Sequence, residues 1–104
     1  MALILQNNLQ DATLRMEGTF LYEGRSDFKA ATEELLSRTT TPGITLDLSA
    51  VSYMDSASLG MLLILRERTL ATGRKVVLRN PSPPVRSILS IVQFDQLFDI
   101  REDP

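Results

Sequence analysis

The residues of this chain that could do chemistry gather in one short stretch, Asp55-Ser56-Ala57-Ser58, directly before the apolar run Leu59-Gly60-Met61-Leu62-Leu63. A carboxylate and hydroxyls in that position can accept hydrogen bonds from the free backbone N–H groups at a helix start. They can also present a hydroxyl for modification, because those N–H groups and the positive end of the helix dipole tolerate a phosphate dianion. Other candidates are sparse. Asp47 and Asp55 with nearby serines could in principle hold a metal, but Asp47 reads as a polar strand residue, and no metal site or cofactor is expected. Lys29 and Lys75 fall on a helix face and at a strand start. Arg66, Arg68, Arg74 and Arg79 could meet a phosphate, yet they read first as a solvated set with Glu67 between them. The glycines, at positions 18, 24, 43, 60 and 73, are scattered singly, so no phosphate-cradling loop is present.

What the chain lacks narrows the chemistry further. It has no histidine and no cysteine, which removes the usual general base near neutral pH, the thiolate nucleophile, any disulfide and the commonest metal ligands. A serine nucleophile would have only lysine or a carboxylate to activate it, so an enzyme is not expected. The 104 residues carry 13 acidic and 11 basic side chains, for a formal net charge of −2. Without a basic cluster, nucleic acid is not an expected partner. That length fits a single domain, 1–104, with one core. The longest apolar stretch, Leu59 to Leu65, is far short of the roughly 20 residues that span a bilayer. The start of the chain has no basic segment of a signal peptide. A cytoplasmic location, no membrane insertion and a monomer are the expectations.

The elements that must position the Asp-Ser stretch follow from periodicity. Leu14, Met16 and Gly18 alternate with Arg15 and Glu17, a strand ending near Phe20; Leu3 to Leu5 form a shorter strand before it. Residues 26–38 read as a helix with Phe28, Ala31, Leu35 and Leu36 on one stripe and Ser26 or Asp27 as its cap. Ile44, Leu46 and Leu48 alternate in a second strand. A helix from Ser56 to Thr72 stops at Gly73. Lys75 to Leu78 is a strand, and Val85, Ile88, Leu89 and Val92 space a third helix opened by Ser82 and the following prolines. The tail, Phe94 to Ile100, is a short strand or a helical turn. Such alternation predicts right-handed βαβ crossovers and a partly parallel sheet covered by helices.

Within the helix that follows Asp55, a rotation of about 100° per residue sorts the side chains. Leu59, Leu62, Leu63 and Leu70 are expected to face the sheet. Met61, Ile64 and Leu65, with Arg68, are expected on the opposite side as a partner-binding surface topped by Ala57 and Ser58. The plainer alternative is a helix buried nearly all round.

At these residues the chain resembles the STAS domain. The match runs through Ile44-Thr45-Leu46-Asp47-Leu48-Ser49, Tyr53-Met54-Asp55-Ser56-Ala57-Ser58-Leu59-Gly60, Gly73-Arg74-Lys75-Val76-Val77-Leu78, Pro83-Pro84-Val85 and Phe94 to Ile100. More narrowly, it resembles the stand-alone bacterial anti-sigma factor antagonists. The resemblance implies a small mixed sheet of four or five strands with three to four helices mainly on one face. It also implies partner switching and transcription regulation. In that scheme the unphosphorylated antagonist binds an anti-sigma factor or serine kinase and releases its client. The kinase phosphorylates a serine at the helix start, and a serine phosphatase reverses it.

Asp55 and Gly60 match the motif, but the family's phosphoacceptor position is occupied here by Ala57. Ser56 matches the serine before it, and Ser58 stands where Gly or Ala is usual. Three readings are open: a substitution engineered to lock the unphosphorylated state, a natural loss of the switch, or transfer of the role to Ser58. A different class of function, an accessory STAS subunit of a membrane lipid- or anion-transport assembly, is the alternative.

Overall fold

The structure, a computed structural model, describes residues 2–103. Its elements run β1 (Ile4–Asn8), β2 (Thr13–Phe20), a 3₁₀ turn at Tyr22–Gly24, α1 (Arg25–Arg38), β3 (Gly43–Met54), α2 (Ser56–Ala71), β4 (Lys75–Arg79), α3 (Pro83–Ile91), a 3₁₀ turn at Phe94–Gln96, and β5 (Asp99–Arg101). The strands form one sheet in the order β1-β2-β3-β4-β5. β1 lies antiparallel to β2, and every later pair is parallel. Each parallel pair is joined through a helix, so right-handed crossovers in this unbroken order bring the helices to the same side. The architecture is the α/β mixed sheet expected from the alternation of elements. The tail contains both a helical turn and a strand.

Burial follows from that arrangement. Leu14, Met16 and Phe20 of β2, Ile44, Leu46 and Leu48 of β3, and Val76 and Leu78 of β4 are buried against Phe28 and Leu35 of α1, Leu62 and Leu65 of α2, and Val85 and Leu89 of α3. The intervening strand residues carry the polar face. There Asp47 meets Arg79 at 3.4 Å and Lys75 meets Asp99 at 3.5 Å. The more exposed Lys75–Asp99 pair contributes little to stability. Asp47 also accepts from the Ser49 N–H and hydroxyl at 3.0 and 2.7 Å, at the irregularity in the pairing of β3 with β2.

Chain geometry departs from regularity where the sequence permits it. β2 shifts register against β3 on both sides of Glu17-Gly18, and Gly18 takes φ +99°. A Cβ there would collide with the Ala2 carbonyl, so only glycine fits. Gly73 at φ +76° lets the chain leave α2 after its C-cap Thr72.

Two local expectations change. Neither Ser26 nor Asp27 caps α1, because the Tyr22–Gly24 turn runs straight into it and Gly24 occupies the N-cap position without a side-chain bond. Ser82 stands at the N-cap of α3, but its hydroxyl donates to the Val51 carbonyl and ties the helix to β3 instead.

Arg66, Arg68, Arg74 and Arg79 are all engaged. Arg74 clamps the α1–β3 connection, donating to the Leu36, Thr39 and Thr41 carbonyls at 3.0, 3.2 and 2.7 Å and to the Thr39 and Thr41 hydroxyls at 2.6 and 3.0 Å. Arg66 donates to the Leu97 carbonyl at 2.8 Å, and Arg68 meets Glu33 at 3.3 Å. Arg79 is held by Asp47.

Candidate functional site

The site is built where β3 ends and α2 begins. Asp55 is the N-cap of α2, with extended backbone. One carboxylate oxygen, Oδ1, accepts from the Ser58 N–H at 2.9 Å and lies 2.8 Å from the Ser58 hydroxyl. The other, Oδ2, accepts from the Tyr22 N–H at 3.1 Å. The Ser58 hydroxyl also contacts the Phe20 carbonyl, and the Asp55 N–H reaches that same carbonyl at 3.4 Å. Burial acts to raise the Asp55 pKa, but the hydrogen bonds from Ser58 and Tyr22 outweigh it and hold the carboxyl below the usual aspartate value. The network joins the end of β2, the Tyr22 turn and the start of α2.

This arrangement corrects the expectation that Ser58 faces outward. It is fully buried, at 0% exposure, and its hydroxyl is enclosed between a carbonyl and a carboxylate. Ser56 is exposed, and Ala57 is half-buried. Ala57 therefore stands between an outward hydroxyl and an inward one.

The face of α2 is also rotated from the expected one. Its buried residues are Ser58, Leu62, Leu65 and Thr69, at i, i+4, i+7 and i+11. Leu65, expected on the partner-binding surface, is only 2% exposed and belongs to the core. Leu63 and Leu70, expected in the core, lie at the surface, while Leu59 packs half-buried against it. The stripe includes two hydroxyl residues whose polar atoms are satisfied locally. Thr69 bonds back to the Leu65 carbonyl at 2.7 Å, and Ser58 reaches β2. That lets polar residues occupy core positions. Gly60 lies within the first turns of α2 with no heavy atom near where its Cβ would stand. The cap is thus Asp55's alone.

Ala57, Gly60, Met61, Ile64, Leu65 and Arg68 nonetheless meet in one place. They line one side of a groove of about 500 Å³ whose other side is Tyr22, Arg25, Ser26, Phe28, Lys29 and Thr32. Phe28 and Leu65 are buried at its base, whereas Ile64 and Tyr22 are half open to solvent at 54% and 51%. Met61 is half-buried. Arg25 lies over the Tyr22 ring, 4.0 Å from its centre. Sequence reasoning missed the α1 side of this groove. The available signal was Arg25 and Lys29, placed i, i+4 on either side of the buried Phe28.

A five-stranded α/β sheet with a capped helix start opening onto a groove defines the class, and comparison with known proteins gives the family. The chain belongs to the STAS domain family: the family model described as "Mlab, STAS domain" matches residues 4–101. Among curated proteins it is 38% identical over 91 residues to the STAS-domain containing protein PA14_20770 of Pseudomonas aeruginosa, covering 88% of each. Among solved structures it resembles a Thermotoga maritima protein assigned as an anti-sigma factor antagonist, with TM-score 0.76, 21% identity, and coverage of 97% of this chain and 86% of that one. It also resembles the anti-sigma factor antagonist SpoIIAA in its unphosphorylated form, with TM-score 0.70, 20% identity, and coverage of 99% and 89%. The phosphorylated form of SpoIIAA, from Bacillus, matches with the same TM-score of 0.70, at 18% identity and coverage of 99% and 92%. At these identities the structural likeness is one of fold. Among the described residues, no helix is long and apolar enough to cross a membrane.

Proposed function

We propose that this chain is a non-enzymatic, partner-binding STAS protein of the anti-sigma factor antagonist type, and that the start of α2 with its adjoining groove is the contact surface. The observation that carries this reading is the placement of Ala57. It lies at the α2 N-terminus, lines the groove, and has no hydroxyl to modify. A phosphate there would add about −1.5 to −2 charge beside an apolar surface, where an unmatched dianion opposes docking. Alanine keeps the surface permanently in the unmodified, binding form. The buried Ser58 hydroxyl is a poor substitute acceptor, since phosphorylation would require breaking its contacts with Phe20 and Asp55. The partner of this reading is an anti-sigma factor or related serine kinase in the cytoplasm.

The test compares this chain with Ala57→Ser after incubation with ATP and lysate of the source cells, read by intact mass. Phosphate gained only by Ala57→Ser is the expected result. Modification of the unaltered chain would move the role to Ser56 or Ser58, and modification of neither would remove the partner-switching reading. The alternative that the family resemblance allows is an accessory STAS subunit of a membrane lipid- or anion-transport assembly. Co-purification with a transport ATPase, with neither chain modified, would select it.

A further inference from the structure

The groove has a charge character that the reading above does not use. Every charged residue lining it is basic, namely Arg25, Lys29 and Arg68, although the whole chain has a net charge of −2. Arg68 is held by Glu33 at 3.3 Å. Arg25 stacks on Tyr22 and donates to the Tyr22 carbonyl at 3.2 Å, and among the described residues it forms no ion pair. Lys29 has no ion pair among the described residues and stands exposed one turn further along α1. Glu23 and Asp27 are close in sequence but do not line the groove. Two uncompensated cations thus flank an apolar base of Phe28, Met61 and Leu65.

We propose that the groove between α1 and α2 docks a segment of a partner protein that inserts apolar side chains and sets carboxylates against Arg25 and Lys29. The inference rests on the reading of the α2 start as a protein-contact surface and specifies the chemistry of what it meets. Opposite charges around an apolar centre set orientation and partner choice, while the buried side chains supply affinity. An extended or helical segment fits better than a small amphiphile. The walls, Tyr22 and Ile64, are half-exposed and suit a broad cover, whereas small-molecule sites enclose most of their ligand's surface.

The test uses a random dodecapeptide library displayed on phage and selected on the immobilised chain. Selected peptides are then titrated into ¹⁵N- and methyl-labelled protein. The expected outcome is enrichment of peptides that combine apolar residues with Asp or Glu and that shift the Lys29 amide and the Met61 and Ile64 methyls. Arg25→Glu with Lys29→Glu should weaken those peptides at least about ten-fold while leaving the rest of the spectrum folded. Ile64→Ala should weaken them through the apolar contact alone. Enrichment of basic or neutral peptides, shifts outside the groove, or no enrichment overturns the proposal. So do concentration-dependent shifts of the same resonances without peptide, which would assign the groove to a second copy. Occupation by laurate where no peptide binds overturns it as well. None of these results depends on whether Ala57→Ser is phosphorylated, so the two readings fail separately.

Discussion

Replacing Ser58 with alanine tests the geometry of the α2 start most directly. The hydroxyl has one proton and two acceptors beside it, the Phe20 carbonyl and Asp55 Oδ1. Leaving a buried acceptor unpaired costs about 1–3 kcal/mol. The full penalty is not expected, because the Asp55 N–H remains 3.4 Å from the Phe20 carbonyl. Asp55 itself keeps the Ser58 and Tyr22 N–H groups at 2.9 and 3.1 Å. Alanine also gains a few tenths of a kcal/mol (~0.4) in helix propensity. The balance is a loss of about 1–2 kcal/mol, which lowers the melting midpoint of a domain of this size by roughly 4–16 °C. Urea and thermal unfolding of Ser58→Ala and of Ser56→Ala, followed by circular dichroism, measure it. Ser56 is exposed, so its variant should stay within about 0.5 kcal/mol of the parent. A Ser58→Ala protein as stable as the parent, or a Ser56→Ala protein equally damaged, would refute the assignment of Ser58 as the internal tie.

Other outcomes follow from the same structure. Leu65→Ala should cost about 2–5 kcal/mol as a core truncation, whereas Ile64→Ala should cost well under half of that; similarly small losses for both in urea denaturation would restore the face expected from periodicity. Arg74→Ala should destabilise by about 2–3 kcal/mol, and Arg74→Lys should not recover it, since an ammonium cannot span the carbonyls and hydroxyls the guanidinium reaches. The Asp55 carboxyl is held below its ordinary value in the folded chain, so the unfolded state binds the proton more readily. Stability from this group is therefore present above the unfolded aspartate pKa of about 3.9 and is lost as pH falls through the lower folded value. Asp55→Asn, which retains capping ability, should show a shallower loss of stability below about pH 4. An unchanged acid slope would place that dependence on Asp47 and Asp99, whose carboxyls are lowered too.

The order of elements was legible because alternation and helical spacing are local. Leu14-Met16, Ile44-Leu46-Leu48 and Val85-Ile88-Leu89 each declare one face without reference to the rest of the chain, although Val92, expected on that third face, is the exposed C-cap of α3. The Asp55 cap and the Gly73 stop were readable for the same reason: each acts on backbone groups within one turn of itself. α2 was different. Apolar residues surround it at 59, 61, 62, 63, 64, 65 and 70, so a count of hydrophobic residues does not single out one face.

What decided its orientation lies elsewhere in the chain. The Phe20 carbonyl at the end of β2 offers a partner for a buried hydroxyl, and the i−4 carbonyl within the helix satisfies Thr69. Those contacts turn Ser58 and Thr69 inward, carry Leu65 with them, and leave Leu63 and Leu70 at the surface. The groove likewise needs two helices that are adjacent only because β2, β3 and β4 lie side by side in a parallel sheet. Sequence alone determined the fold class, the family resemblance and the helix start that carries Asp55 and Ala57. Tertiary structure decided which hydroxyl is buried and which cations face an apolar groove, because hydrogen-bond satisfaction and charge pairing depend on neighbours tens of residues away along the chain.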